Sequence, residues 1–207
     1  MAIYLDTETT GLSPDQGAAI VEVAIVDDAG RALLNTLVDP LRPIPRFASN
    51  IHGITDEMVR GKPSLEKLMP EIDKIVRSQR VVIYNARFDT PFFPNRLRDA
   101  DTIECAMVRY AQVTGGRWQK LDLVSKRVGH QWSGSAHRAL ADAQACRSVW
   151  KWLVSKGHAP RDPEARPQQA TTTVVRCPHC LQPLRVPAQK HLNVTCTACR
   201  RGFDSWT

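Results

Sequence analysis

The sequence predicts an α/β domain with a mixed central sheet, followed by a small β module held by cysteines. Three observations carry this. Strand-like segments come first and then alternate with segments of helical spacing. The composition changes after residue 156, where Pro160, Pro163, Pro167 and a Gln/Thr run read as an exposed linker. Beyond it stand two Cys-x-x-Cys pairs. The first domain is therefore expected over 1–156, the linker over 157–173 and the module over 174–207.

The elements follow in order. Ile3–Leu5, Ala18–Val26 and Ala32–Val38 read as strands, and Asp27-Asp28-Ala29-Gly30 turns the second into the third. Leu65, Leu68, Ile72, Ile75 and Val76 recur at helical spacing and predict a helix over Leu65–Val76. Val81–Tyr84 is a short buried-type strand. Pro91 suits the first turn of a helix running towards Leu97, although Pro94 disturbs it. Thr102–Cys105 is a last strand. Helices are expected over Ala106–Val113, over Leu121–Val128 with Gly129 as its stop, and over Arg138–Val154 with Ala139, Ala143, Cys146, Trp150 and Leu153 inward.

With 207 residues, 43% of them apolar, the chain has enough material for one well-buried domain and an appendage. No apolar run is long enough to span a bilayer, and the N-terminus runs straight into a strand, so a cytoplasmic protein with no membrane partner is expected. The net charge of +7 favours a polyanionic partner, nucleic acid before membrane, although many basic proteins bind nothing acidic. Cys105 and Cys146 fall in apolar stretches and read as inert core residues.

Chemistry is concentrated in acidic residues. Side chains alternate along a strand, so Asp6 and Glu8 project the same way while Thr7 points back. Adjacent carboxylates repel, and a hard divalent cation such as Mg²⁺ or Mn²⁺ removes the repulsion. Asp89 lies just beyond a strand, where α/β domains place ligand sites. Asp142 sits at the margin of the last helix's buried stripe. His137, five residues earlier, shares a site with it only if it precedes the helix start, because five helical residues rotate by about 140°; Ser133-Gly134-Ser135 makes a mobile loop plausible there. Singly, each has an ordinary reading: a solvated strand face, a helix cap, a surface helix carboxylate, an exposed loop histidine. Trp118, Trp132, Trp150 and Trp152 read as packing, with Trp118, in a basic loop, also able to stack on a base.

In their order and local context these segments resemble the DEDD superfamily of 3′→5′ exonucleases, in the variant with a catalytic histidine. The matching stretches are Asp6-Thr7-Glu8-Thr9-Thr10-Gly11-Leu12, Ile51-His52-Gly53-Ile54-Thr55, Asn85-Ala86-Arg87-Phe88-Asp89, Leu121-Asp122-Leu123 and His137-Arg138-Ala139-Leu140-Ala141-Asp142-Ala143. They cover about residues 1–155 and look nearest to the exodeoxyribonuclease X group and the proofreading subunits of replicative polymerases. Tyr84 departs from the pattern, since many relatives carry histidine before the Asn. The resemblance implies a ribonuclease H-like fold in which Asp6, Glu8, Asp89 and Asp142 hold two Mg²⁺ or Mn²⁺ and His137 is the general base. It also implies that Thr9, Thr10, Gly11, Leu12, His52 and Ile54 hold the terminal nucleotide.

The implied activity is hydrolysis at the 3′ end of nucleic acid, single-stranded or at a 3′ terminus, with DNA favoured over RNA. It releases nucleoside 5′-monophosphates, in repair or proofreading, with a polymerase or repair protein as a possible partner. The chemistry is coherent: two cations serve the attacking and leaving oxygens of an in-line displacement, four carboxylates nearly neutralise them, and a histidine of ordinary pKa near 6.5 accepts the water's proton. The alternative is a non-catalytic or accessory adaptor docking on a polymerase or repair complex, in which the acidic site is vestigial.

Cys177, Cys180, Cys196 and Cys199 form two knuckles separated by fifteen residues. Four thiolates at this spacing make a closed, structural Zn²⁺ site, and the strand-like residues before each pair predict a zinc ribbon. His179 and His191 are competing ligands. Seven Lys/Arg against three Asp/Glu over 160–207 suit either a nucleic acid strand or a solvated, protein-docking face.

Overall fold

The computed structural model describes residues 2–132, 137–158, 172–187 and 191–206. The Ser133–Ser135 loop and most of the expected linker lie outside the described residues. The chain divides into two compact units, Met1–Ala159 and Pro160–Thr207.

In the first unit, β1 (Ala2–Thr9), β2 (Ile20–Asp27) and β3 (Ala32–Leu37) form an antiparallel set, and β4 (Arg80–Ile83) and β5 (Thr102–Cys105) run parallel to β1. The sheet is mixed, as the sequence predicted, and the strand order β3-β2-β1-β4-β5 puts β1 at its centre. Alternation along β1 splits the core in two. Ile3 and Leu5 face one side with Ile25 and Ile83, under Leu68, Ile72 and Val76 of α3 (Leu65–Val76). Tyr4 faces the other with Val26 and Val82, under Cys146, Val149, Trp150 and Leu153 of α7 (Ala139–Ser155). Both faces of β1 and β2 are thus covered, which is why Ala2–Leu5 and, apart from Glu22, Ile20–Val26 read as apolar runs.

β1 continues past the expected Leu5 to Thr9, so Asp6 and Glu8 are strand residues paired opposite Ala24 and Glu22. Between β3 and β4 lie α1 (Arg46–His52) and α2 (Asp56–Val59). Helix α3 carries Pro70 in its interior; Pro70 is exposed, so water can serve the Glu66 carbonyl that loses its donor.

The helix expected from Pro91 towards Leu97 is not there. A single turn, α4 (Ala86–Asp89), starts five residues earlier and tightens into a 3₁₀ turn over Thr90–Phe92. Pro91 and Pro94 supply no amide donors, and Arg96 and Leu97 take positive φ of 52° and 56° while Phe92, Phe93 and Leu97 fill the core. The pattern was apolar packing around a turn, not helical periodicity. After β5 come α5 (Ala106–Thr114) and α6 (Leu121–Arg127). Helix α7 starts at Ala139, which leaves His137 before the helix, with a φ of 62°.

In the second unit, β6 (Thr172–Arg176) pairs with β7 (Pro183–Pro187), and β8 (His191–Thr195) with β9 (Gly202–Trp206). Each hairpin turn is a Cys-x-x-Cys knuckle. The two turns repeat one pattern: Leu181 N–H donates to Cys177 O and Arg200 N–H to Cys196 O, with Leu181 and Arg200 both at positive φ.

Candidate active site

Strands β1 and β4 are parallel; β4 ends at Ile83, opposite Leu5, and the acidic residues gather beyond that end, beside the Asp6–Thr9 extension of β1. A pocket of about 180 Å³ is lined by Asp6, Thr7, Glu8, Tyr84, Asn85, Phe88, Asp89, Leu121, His137 and Asp142. Each of the four expected carboxylates and the histidine lies there. The reasons are local: alternation aims Asp6 and Glu8 together, α4 follows β4 and brings Asp89 over the strand ends, and the first turn of α7 brings Asp142. One carboxylate oxygen from each of Asp6, Glu8 and Asp142 lies within 4.8 Å of the others, close enough for a hard cation to touch more than one. A larger cavity of about 770 Å³, lined by Ala2 and Ile3, lies at the other end of β1.

The electrostatics show what the site lacks. Burial, then the charges of Asp89, Asp142 and Glu8, pushes the Asp6 carboxyl well above its usual range. Burial and the charges of Asp142 and Glu22 raise Glu8 to about 8. Asp89 is raised to about 7 by burial, against the opposing pull of the Thr7 hydroxyl. Asp142 rises to about 6 by burial, with His137 holding it down. No lysine or arginine is among the described residues lining this pocket, so the missing counter-charge fits divalent cations.

A pH dependence follows. These carboxyls have folded-state pKa values above their unfolded ones, so the stability they lend to the metal-free protein is complete below about pH 4 and is lost as pH rises through about 6, 7 and 8. Divalent cations reverse that loss. Saturating Mn²⁺ is expected to raise the melting temperature at pH 8 by about 5–10 °C, and by much less at pH 5.5. Thermal melts with and without Mn²⁺ at both pH values check this; equal shifts would contradict it.

Other expected residues occupy less uniform places. Thr9 donates to the Gly11 carbonyl at 2.7 Å, and Thr10 is buried with its hydroxyl accepting from Ala19 N–H at 2.9 Å. Gly11 packs so closely that a Cβ would lie 3.3 Å from that of Ala18. Leu12 is 83% exposed. Thr10, Gly11 and Leu12 line a cavity of about 360 Å³ with Arg42 and Phe47. His52 is buried; its Nδ1 accepts from Ile54 N–H at 3.0 Å, and its Nε2 makes no hydrogen bond of normal geometry. The Ile54 side chain is fully buried among Val21, Ile44, Ala48 and Val59, so it is a core residue that orients His52 through its backbone.

A second cleft, of about 340 Å³, shares Tyr84, Asn85, Leu121, His137 and Asp142 with the acidic pocket and extends to Trp118, Gln119 and Trp132. Trp118 is 68% exposed, which overturns the packing expectation for it, whereas Trp150 is core as expected. Tyr84, the departure from the family pattern, donates to the Gln119 carbonyl at 2.6 Å and anchors this wall.

Three residues at the site were not anticipated. Thr7, on the back face of β1, donates to Asp89 Oδ1 at 2.6 Å and fixes that carboxylate. Buried Glu22 and half-exposed Arg138 form an ion pair, with Arg138 Nη2 to Glu22 Oε1 at 2.6 Å. A signal for Glu22 existed: it is the one charge within the apolar run Ile20–Val26.

In the second unit, four thiol sulfurs lie within 4.8 Å of one another, with Cys177–Cys199 at 3.7 Å and Cys180–Cys196 at 3.6 Å. These separations are too long for disulfides. They match the edge of a tetrahedron with Zn–S near 2.3 Å, about 3.7–3.8 Å. The cysteines fit a structural zinc ion.

Comparison with known proteins agrees with this geometry. The family profile described as "Exonuclease" matches residues 3–149. The uncharacterized exonuclease CP81 of Escherichia phage 186 is 38% identical over 176 residues, 76% of this chain and 90% of that one. The DNA polymerase III subunit epsilon of Rickettsia typhi is 28% identical over 191 residues, 84% of this chain and 83% of that one. Among solved structures, Exonuclease X in complex with 5′ overhanging duplex DNA superposes with a TM-score of 0.61 at 30% identity, covering 76% of this chain and 93% of that one.

Proposed function

Since the chain belongs to the exonuclease family and is a 3′→5′ exonuclease with the ribonuclease H-like fold, we propose that it shortens DNA 3′ ends by a two-metal hydrolysis centred on Asp6, Glu8, Asp89, Asp142 and His137. The observation that carries this is the convergence of three carboxylates within 4.8 Å, in one pocket with Asp89 and His137. Exonucleases of this kind use divalent metals. The four carboxylates would hold two Mg²⁺ or Mn²⁺. When bound, the cations supply Lewis-acid charge that ionises water and relieves the phosphate's repulsion from the acidic site.

The chain's own residues do the rest. Thr7 fixes the Asp89 carboxylate. His137, at the pocket mouth, accepts the proton of the attacking water. The backbone from Thr9 to Leu12 and the segment from His52 to Thr55 hold the terminal nucleotide, with Ile54 N–H setting the His52 ring. The upstream strand leaves through the cleft at Trp118, whose exposed ring offers a stacking face. Trp118→Ala is expected to raise KM about 5–20-fold, the loss of roughly 1–2 kcal/mol of stacking, with kcat within twofold. Steady-state kinetics on a single-stranded oligonucleotide measure it, and an unchanged KM would remove Trp118 from the substrate path.

Support for DNA comes from the 30%-identical Exonuclease X, solved with duplex DNA, and from the polymerase subunits among the relatives. Repair or proofreading in the cytoplasm, with a polymerase or repair protein as partner, suits that company. Among the described residues no helix is long and apolar enough to cross a membrane. The test is a time course on 5′-labelled DNA and RNA with Mg²⁺, Mn²⁺ or EDTA. A ladder shortening from the 3′ end, faster on DNA and absent in EDTA, is expected; equal cleavage in EDTA would refute the metal site.

We assign the nuclease to residues 1–156 and the ribbon, with one Zn²⁺ on Cys177, Cys180, Cys196 and Cys199, to 174–207, joined by 157–173. Arg176, Arg200 and Arg201 are exposed in the ribbon and suit a phosphate backbone. Deleting 160–207 is expected to raise KM on long substrates several-fold and leave dinucleotide-sized ones unaffected. No change on either would favour a protein partner for the ribbon.

A further inference from the structure

We propose that Glu22 and Arg138 are a positioning pair that locks the backbone turn presenting His137 to the acidic pocket. The proposal rests on the assignment of His137 as the base. Glu22 lies on β2 directly opposite Glu8 of β1, and is only 3% exposed. Its Oε2 accepts from Arg138 Nε at 3.0 Å and from Ala139 N–H at 2.9 Å. Its Oε1 accepts from Arg138 Nη2 at 2.6 Å and Nε at 3.2 Å. Each of these bonds reaches one of the two residues that follow His137.

A helix cap alone does not require this arrangement. Arg138 occupies the N-cap position of α7 and its side chain does not cap the helix. The acceptor comes instead from another strand, 117 residues away in sequence, and the fork of Arg138 is held at the same carboxylate. His137 adopts a left-handed backbone with φ of 62°, a conformation that a residue with a Cβ keeps only where its surroundings over-determine it. Pinning the following residue by both side chain and helix start supplies that determination. The pair thereby ties the strand that neighbours Glu8 to the segment carrying His137.

Glu22 is not a further metal ligand. Both of its oxygens are engaged, and it stands outside the tight set of Asp6, Glu8 and Asp142. Its charge raises the Glu8 carboxyl, so neutralising it eases ionisation of the cation ligands, and a loss of rate acts through the histidine.

The test uses the full-length protein with Mg²⁺. Glu22→Gln keeps the shape and removes the charge. It is expected to lower kcat about 10–100-fold, as a misplaced reacting group does, with KM within about twofold and Mn²⁺ affinity not weakened. In a His137→Ala background the same substitution should cost less than about twofold more, because its effect has no histidine left to act through. Arg138→Lys keeps the charge but not the fork and should show a smaller loss with the same non-additivity; it serves if Glu22→Gln fails to fold. An equal fold-loss in both backgrounds, or a wild-type rate for both variants, overturns the positioning role. His137→Ala at wild-type rate overturns the base assignment itself, and the single variant shows this separately.

Discussion

Asp6→Ala is expected to abolish metal-dependent cleavage, with a loss in kcat of about 10⁴-fold or more, equivalent to roughly 5–6 kcal/mol of transition-state stabilisation. Asp6 is the group on which the others converge: Asp89, Asp142 and Glu8 all raise its pKa. Removing it takes an oxygen from the three-carboxylate set and leaves too few ligands to hold the cations. The fold should not suffer. Asp6 caps no helix, and its ionised carboxylate is repelled by its neighbours in the metal-free protein. The variant's metal-free melting temperature at pH 8 is therefore expected to equal or exceed that of the wild type, while its gain from Mn²⁺ disappears. A purified variant that keeps near-normal nuclease rates would refute the assignment. An inactive variant that also melts far below the wild type would show that Asp6 serves the fold.

His137→Ala is expected to lower kcat about 10²–10⁴-fold with little change in KM, the range for loss of a positioned general base. The histidine touches both the acidic pocket and the adjoining cleft, and it acts on Asp142, whose carboxyl it holds down. The decisive readout is the pH–rate profile. The acid limb due to imidazole protonation should vanish in the variant, leaving only the dependence set by the carboxylates. An unchanged profile and rate would remove His137 from the base role.

Much of the site was legible because its chemistry is written in local patterns. The phase of a strand put Asp6 and Glu8 on one face, and the strand proved long enough to include both. The phase of a helix demanded that His137 precede it, and α7 begins at Ala139. The clustering of the four cysteines was readable because each pair is set by one hairpin turn.

What the sequence hid were contacts between distant segments. The Thr7–Asp89 bond joins residues 82 apart, and the Glu22–Arg138 pair joins residues 116 apart. No periodicity encodes such pairs. Glu22 was nonetheless visible as a charge within a strand too apolar to be solvated, and a buried charge implies a partner. The misread segment, Pro91 to Leu97, failed for the opposite reason. Its apolar residues fill the core from a turn with positive φ, a packing that mimics an amphipathic helix in one dimension. Ile54 likewise lies next to the nucleotide-binding candidates in sequence but belongs to the core in space.

Mn²⁺ binding measured by calorimetry on zinc-loaded protein, wild type beside Asp6→Ala, tests the shared carboxylate site most directly. Two saturable Mn²⁺ per chain in the wild type, both lost or severely weakened together in the variant, are expected. Wild-type protein that takes up no Mn²⁺, or a variant that binds as the wild type does, would contradict it.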